Sequence, residues 1–344
     1  MLLISIIIKS IGDEEDMVQN EVMLSVAFED YLKTIELSRS SNTARTYHNA
    51  INYFRNLLES KKVNIDATPP TEFSEEAVAW LADDLKEMSP ATERLYLTAV
   101  IGFYHYLVAE QLASPNLPRI QLIIRQRARR MGHRLPQFPK DYIEKVLDYA
   151  IYLASPENVN EVERLRILRD RAFLLTLADT GLRVHEACSL RRGDIDWNEA
   201  KAIIIGKGNR QAVIRFSARV LGALKEYLAA RASLDGASGK QLSSLPLFSR
   251  HDKGAGKKVK PITTATGRNI VKQRVSEAIG EDALGMITPH SFRHYFVTTV
   301  LQASGNLKLA QELARHKNIA VTQRYAHLSD DELDSGYWEI FGKK

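Results

Sequence analysis

Between Gln111 and Lys140 the chain has no acidic residue, while Arg119, Arg125, Arg127, Arg129, Arg130, Arg134 and Lys140 are basic. Pro115, Pro118, Pro136 and Pro139 limit helix in the same stretch. A run of unpaired like charge stays in water, so this stretch reads as a joint between two folded parts. The 344 residues leave room for a core on each side of it. The expected layout is an N-terminal tail over 1–20, a helical domain over 21–112, a basic linker over 113–140, a second domain over 141–329 and a C-terminal tail over 330–344.

Upstream of the joint, Leu24, Phe28, Tyr31 and Ile35 recur at helical spacing. So do Tyr47, Ile51, Phe54 and Leu58, then Val78, Leu81 and Leu85, then Tyr96, Val100, Phe103 and Leu107. Ser41-Asn42-Thr43 and Ser89-Pro90-Ala91-Thr92 are start signals for the second and fourth of these helices. Downstream, helices are predicted over 142–154, 161–179, 184–191, 218–232 and 264–280, and after Pro289 and Leu307. Ile203-Ile204-Ile205 and Val213-Ile214-Arg215-Phe216 flank a Gly/Asn turn and predict a hairpin with Lys207 at its tip. Residues 245–248 read as a short strand, and the glycine- and lysine-rich 250–260 as a mobile loop. The fold class is therefore mainly α with a small β-hairpin.

Composition removes several functions. The net charge of +5 is mildly basic, so where the charge lies matters more than its sum. One cysteine, Cys188, rules out a disulfide framework and a Cys-based zinc site, and it is expected to pack on the inner face of the helix after Arg183. The apolar Met1–Ile8 is too short to span a membrane and lacks the flanks of a signal peptide. It reads as a tail or an added strand, with Met17 or Met23 as alternative starts, in a cytoplasmic protein. No P-loop, dinucleotide fingerprint or internal repeat is present, so no nucleotide cofactor is expected.

What chemistry the chain can do is concentrated in a few residues. His290 and Arg293 are three apart and share a helix face, and His316 and Tyr325 follow in a second helical segment. Arg183 follows Gly181, where one helix ends and another begins, a place suited to an anion. Arg, His and Tyr without a carboxylate pair suit a tetrahedral anion, and phosphate is the obvious one. His290 and His294 have a zinc-compatible spacing, but no zincin glutamate or clear third ligand accompanies them, so no metal is expected.

The ordered set Arg183, Lys207, His290-x-x-Arg293, His316 and Tyr325 resembles the tyrosine recombinase (phage integrase) family, in a Xer- or Cre-like two-domain layout. The resemblance runs from about residue 24 to about 340 and is most specific over 169–196 and 288–327. It implies a helical SAM-like core-binding domain and an α+β catalytic domain closing as a C-shaped clamp on double-stranded DNA. It further implies a homo-tetramer on synapsed sites, monomeric or dimeric when free, whose C-terminal segment docks in trans. With about 20 residues before the first helix, a separate arm-binding domain is not expected.

By the same resemblance Tyr325 is the nucleophile of a 3′-phosphotyrosyl intermediate, with no metal or ATP required. Arg183, Arg293 and His316 stabilise charge on the phosphate, His290 is the base and Lys207 the acid. Glu186 and His327 are supporting residues, and Thr43, Arg45, Arg94, Arg125, Arg127, Arg129 and Arg130 are the candidate DNA contacts. Arg315 stands where the family commonly has glycine, and a further phosphate contact is expected of it. A type IB topoisomerase, a catalytically inert DNA-binding relative and a zinc hydrolase are the competing readings.

Overall fold

The computed structural model describes residues 22–129, 140–153, 160–206, 210–252, 254–256, 258–316, 318–323 and 342. The chain divides into two compact units, Met1–His133 and Arg134–Lys344.

In the first unit, α1 (Leu24–Ser38), α2 (Ser41–Ser60), α3 (Glu76–Asp84) and α4 (Pro90–Ala109) follow the predicted periodicity. Ser40 and Ser89 cap α2 and α4, each accepting from the backbone of a threonine three residues on. The apolar stripes meet in an aromatic centre, where Phe28 stacks on Phe103 at 4.2 Å between centroids and meets Phe54 edge-on at 6.1 Å. Tyr31 donates its hydroxyl to the Ala99 carbonyl at 3.0 Å, and a Cβ added at Gly102 would lie 2.3 Å from that hydroxyl oxygen. Gly102→Ala is therefore expected to destabilise this unit by about 1–3 kcal/mol through overpacking. A denaturant melt of the variant checks this, and an unchanged midpoint would show that α1 and α4 separate freely.

The expected basic linker is in part a helix, α5 (Leu117–Arg127). Pro118 lies in its first turn, where no intrahelical donor is lost, and Asn116 caps it by accepting from the Arg119 amide at 3.0 Å. Ile120 is buried in the first unit's core. Just beyond α5, Arg129 is fastened to the buried Glu93, its amide at 2.9 Å and its Nε at 2.5 Å from the carboxylate oxygens. Burial would raise the Glu93 carboxyl, but Arg129 and Lys86 hold it below the usual carboxylate range.

The second unit is built on α7 (Glu161–Thr180), which follows α6 (Lys140–Leu153). Leu165, Leu168, Phe173, Leu174, Leu175 and Leu177 bury it on all sides, so it has no polar face of the usual kind. Its buried Asp170 is matched by Arg169 at 2.7 Å and Arg274 at 2.8 Å. After α8 (Val184–Ser189) come β1 (Ile195–Asp196), β2 (Lys201–Gly206) and β3 (Arg210–Arg215), an antiparallel sheet in the order β1-β2-β3. The register pairs Ile204 with Ala212 and closes at Gly206 with Arg210, so Lys207 lies in the connection, outside the described residues. Cys188 is buried, its thiol pushed up to about 12 by desolvation.

The remaining elements are α9 (Ala218–Ala230), α10 (Ala232–Gly236), α11 (Thr264–Ile279), α12 (Pro289–Ser304), α13 (Leu307–Ala314) and α14 (Ile319–Gln323). The stretch over 245–248 forms no strand of its own; Pro246 makes an isolated bridge to Arg191. The loop over 250–260 is tied at its ends, since Arg250 donates its amide to the Lys260 carbonyl at 2.9 Å and pairs with Asp252. Among the described residues, no helix is long and apolar enough to cross a membrane.

Candidate active site

Gly181 ends α7 in the left-handed conformation, φ 59 and ψ 23, and turns the chain through the buried Leu182 into Arg183. A Cβ at Gly181 would lie 2.4 Å from a ring carbon of Phe296 on α12, so only glycine admits this approach. Arg183 then caps α8. The Glu186 carboxylate accepts its amide at 2.9 Å and its Nη1 at 2.9 Å. The expectation of an anion held by free amides at this turn gives way to a carboxylate already in place. The group left exposed to meet an anion here is the guanidinium, 43% exposed.

Arg293 is 2% exposed and binds two turns together. Its Nη1 donates to the Gly181 carbonyl and its Nη2 to the Ala314 carbonyl, the last of α13. The end of α7 and the end of α13 are thus pinned to one guanidinium, which brings Arg183 and His316 to the same place. The resemblance implies that Arg293 stabilises charge on the phosphate; in the structure one hydrogen on each Nη goes to the backbone.

His290 lies in the first turn of α12 after Pro289 and meets the His294 ring edge-on at 4.2 Å between centroids. Burial, then Arg293 and Arg183, lowers the His290 pKa. His294 is pushed down to about 4 by burial, His290 and Arg293. His316 is likewise pushed down to about 4, by burial first and then by Arg293 and Arg183. That both guanidiniums act on both His290 and His316 shows that four of the six predicted catalytic residues converge. All three shifts favour the uncharged imidazole at neutral pH.

Sequence reasoning missed the residues that aim His316. Gln311 accepts the His316 amide on its own carbonyl at 3.1 Å and donates Nε2 to the His316 carbonyl at 3.1 Å. Thr322, fully buried on α14, meets His316 Nδ1 at 2.8 Å. The Thr322 hydroxyl has no other partner among the described residues, so the pair is best satisfied with the hydroxyl donating. His316 then carries its proton on Nε2 as a donor. For the strand cleavage that the family resemblance implies, Thr322→Val is expected to slow the reaction roughly 10- to 100-fold, the usual cost of losing an orienting partner, and Thr322→Ser to restore it. Single-turnover cleavage rates decide this, and a full rate in Thr322→Val would rule the orienting role out.

Tyr325, His327 and Arg130 also lie outside the described residues, as do 330–341. Gln323, at the end of α14, is two residues before Tyr325. Of the candidate DNA contacts, Thr43 shares the α2 cap with Ser40 at 2.9 Å, and Arg45, Arg94 and Arg125 are exposed. Arg127 pairs with Asp83, and Arg129 departs from expectation because Glu93 and the carbonyls of Leu85 and Met88 hold it. Among the described residues, no group of three or more His, Cys, Asp or Glu side chains could hold a metal ion.

The chain is similar to known proteins over most of its length. The phage integrase family matches residues 154–332, and the phage integrase N-terminal SAM-like domain matches residues 26–111. The tyrosine recombinase XerC of Pediococcus pentosaceus is 27% identical over 316 residues, 91% of this chain and 96% of that protein. The XerC of Bacillus subtilis is 28% identical over 311 residues, 90% of this chain and 93% of that protein. Among solved structures, XerH recombinase bound to a palindromic difH substrate after cleavage has a TM-score of 0.63 at 19% identity, over 92% of this chain and 84% of that one. A lambda integrase dimer bound to a COC′ core site has a TM-score of 0.59 at 19% identity, over 89% of this chain and 96% of that one. The chain belongs to the phage integrase, or tyrosine recombinase, family.

Proposed function

We propose that this chain, a tyrosine-type DNA strand transferase by family, is a site-specific recombinase that breaks and rejoins duplex DNA through a phosphotyrosyl link on Tyr325. The observation that carries the proposal is the convergence of Arg183, Arg293, His290 and His316 at the pinned ends of α7 and α13. Arg183 and His316 Nε2 donate to the non-bridging oxygens, and Arg293 adds buried positive charge behind them. Such charge, fixed before the reaction, needs no reorganisation as the phosphorane forms. Tyr325 attacks phosphorus and forms the phosphotyrosyl ester while the bond to the 5′-oxygen breaks. His290, uncharged, takes the phenolic proton, and Lys207 gives one to the leaving 5′-oxygen. Energy kept in the ester lets a second 5′-hydroxyl reverse the step on another strand.

Relatives whose solved structures hold DNA support duplex DNA as the partner. Arg45, Arg94 and Arg125 on α2, α4 and α5 are the phosphate contacts of the first unit, with Thr43 in the first turn of α2. Four copies assemble on two synapsed sites, the C-terminal segment of each docking on a neighbour, and the protein acts in the cytoplasm.

The test is covalent trapping. The protein is mixed with nicked suicide duplexes from its own genomic neighbourhood in EDTA and run on a denaturing gel. A protein–DNA adduct is expected. DNA retained on a native gel with no adduct on any substrate would replace this reading with an inert binder.

A further inference from the structure

Arg315 ends α13 with the backbone that a glycine would favour, φ 58 and ψ 41. Its side chain turns inward and is 12% exposed. Burial lowers its pKa, opposed by Glu186 and aided by the charge of Arg183. Its Nε and Nη1 are buried and meet no hydrogen-bond partner among the described residues. Backbone strain, desolvation and unmade hydrogen bonds all oppose this placement, and such a residue points to function more than to packing.

What Arg315 does hold is a carboxylate. Its Nη2 donates to Glu186 Oε2 at 3.1 Å and to the Gly181 carbonyl at 3.3 Å. Glu186 Oε1 accepts from Arg183 Nη1 at 2.9 Å, and its side chain is 3% exposed. One buried carboxylate is thus shared between an exposed guanidinium that reaches outward and a buried one that does not. Without Arg315, Arg183 would be the only cation paired with Glu186 among the described residues. A phosphate oxygen would then have to draw Arg183 Nη1 away from a desolvated carboxylate left with no cation, which is a costly state.

We propose that Arg315 is a positioning residue: it neutralises Glu186 so that the Arg183 guanidinium can turn to the scissile phosphate. The proposal rests on the reading of Arg183 as a phosphate-binding catalytic residue given above. It also replaces the sequence-based expectation of a direct Arg315–phosphate contact, since the Arg315 Nη2 that is hydrogen-bonded faces Glu186 and the Gly181 carbonyl. With uncharged imidazoles, Arg183, Arg293 and Arg315 against Glu186 leave two net positive charges, the complement of a dianionic phosphorane.

The experiment compares wild type, Arg315→Gly, Arg315→Lys, Glu186→Gln and the double variant Arg315→Gly/Glu186→Gln. Glutamine keeps an oxygen to accept the Arg183 amide, so the α8 cap survives. Single-turnover adduct formation on a nicked half-site is measured at saturating DNA, with half-site affinity across a salt series and a thermal melt to choose a temperature at which every variant is folded. Arg315→Gly is expected to form adduct roughly 10- to 100-fold more slowly, the range for losing an orienting partner, with its salt slope unchanged. Arg315→Lys keeps most of the rate. Adding Glu186→Gln to Arg315→Gly recovers most of the loss, because a neutral amide does not hold Arg183 back.

Three results would overturn the proposal. A salt slope lower by about one in Arg315→Gly would make Arg315 a direct phosphate contact. A double variant no faster than Arg315→Gly would mean that Arg315 does not act through Glu186. A wild-type rate in Arg315→Gly would remove it from the reaction. Failure of the underlying reading looks different: wild type forms no adduct, or Tyr325→Phe still forms one, and the Arg315 proposal falls with it.

Discussion

Tyr325→Phe is expected to bind a DNA half-site as wild type does while lowering covalent adduct formation by roughly 1,000-fold or more, the scale of removing a nucleophile. The substitution deletes one oxygen and leaves the ring, so the fold and the charged groups that hold phosphate are untouched. An ordinary phenol has a pKa of about 10, so only about one molecule in a thousand is ionised at pH 7 and chemistry depends on the neighbours. On the proposed reading the guanidiniums of Arg183 and Arg293 would favour the phenolate, and His290, whose pKa burial and those same guanidiniums lower, would serve as the base. A base with a lowered pKa stays unprotonated further into acid. Under subsaturating DNA, where the rate reports the free enzyme, wild-type cleavage should therefore break on the acid side of pH 6.5, the ordinary histidine value. Adduct in Tyr325→Phe, seen on the same denaturing gel, would mean that another residue attacks phosphorus.

Much of this was legible in the sequence, for physical reasons that also explain the rest. Long apolar periods fix helices wherever one face meets a core, which is why α1 to α4 and α7 could be read directly. Gly181 signalled a helix end because few other residues tolerate its conformation. The helix α5 was obscured by its own charge: Leu117, Ile120, Ile123 and Ile124 carry the pattern, but the arginines around them read as a solvated joint. The balancing carboxylates are remote, with Glu93 lying 36 residues before Arg129 and Asp83 lying 44 before Arg127. No local pattern reports a pairing of that range. Pro118 after Asn116-Leu117 was the available signal, since a cap followed by proline in the first turn starts a helix. In the active site, Arg183, His290, Arg293 and His316, which the structure brings together, could be named from local spacing together with the family resemblance. Gln311, Thr322 and the inward turn of Arg315 could not, because the first two depend on single hydrogen bonds across a turn and the third on partners remote in the sequence.

Gly181→Ala is expected to destabilise the second unit by about 2–4 kcal/mol, combining left-handed backbone strain with overpacking against Phe296. It is also expected to slow cleavage more than its stability loss explains. The reason lies in what the Gly181 carbonyl holds: Arg293 Nη1 and Arg315 Nη2 both donate to it, and Arg183 is two residues on. If the turn shifts to relieve the Phe296 contact, the two buried guanidiniums and the exposed one lose register together, and a fraction of an ångström matters to preorganised charge. Gly305→Ala is the matched control. Gly305 ends α12 at φ 62, yet nothing lies within 4 Å of an added Cβ. That variant should carry the strain alone, about 1 kcal/mol, and cleave as wild type does once folded. Denaturant melts and single-turnover rates on the two variants separate the terms. Equal effects at both glycines would mean that backbone strain accounts for everything and that the Phe296 contact does not set the position of the Gly181 carbonyl. Wild-type cleavage by folded Gly181→Ala would mean that Arg183 and Arg293 find the phosphate without this turn to hold them.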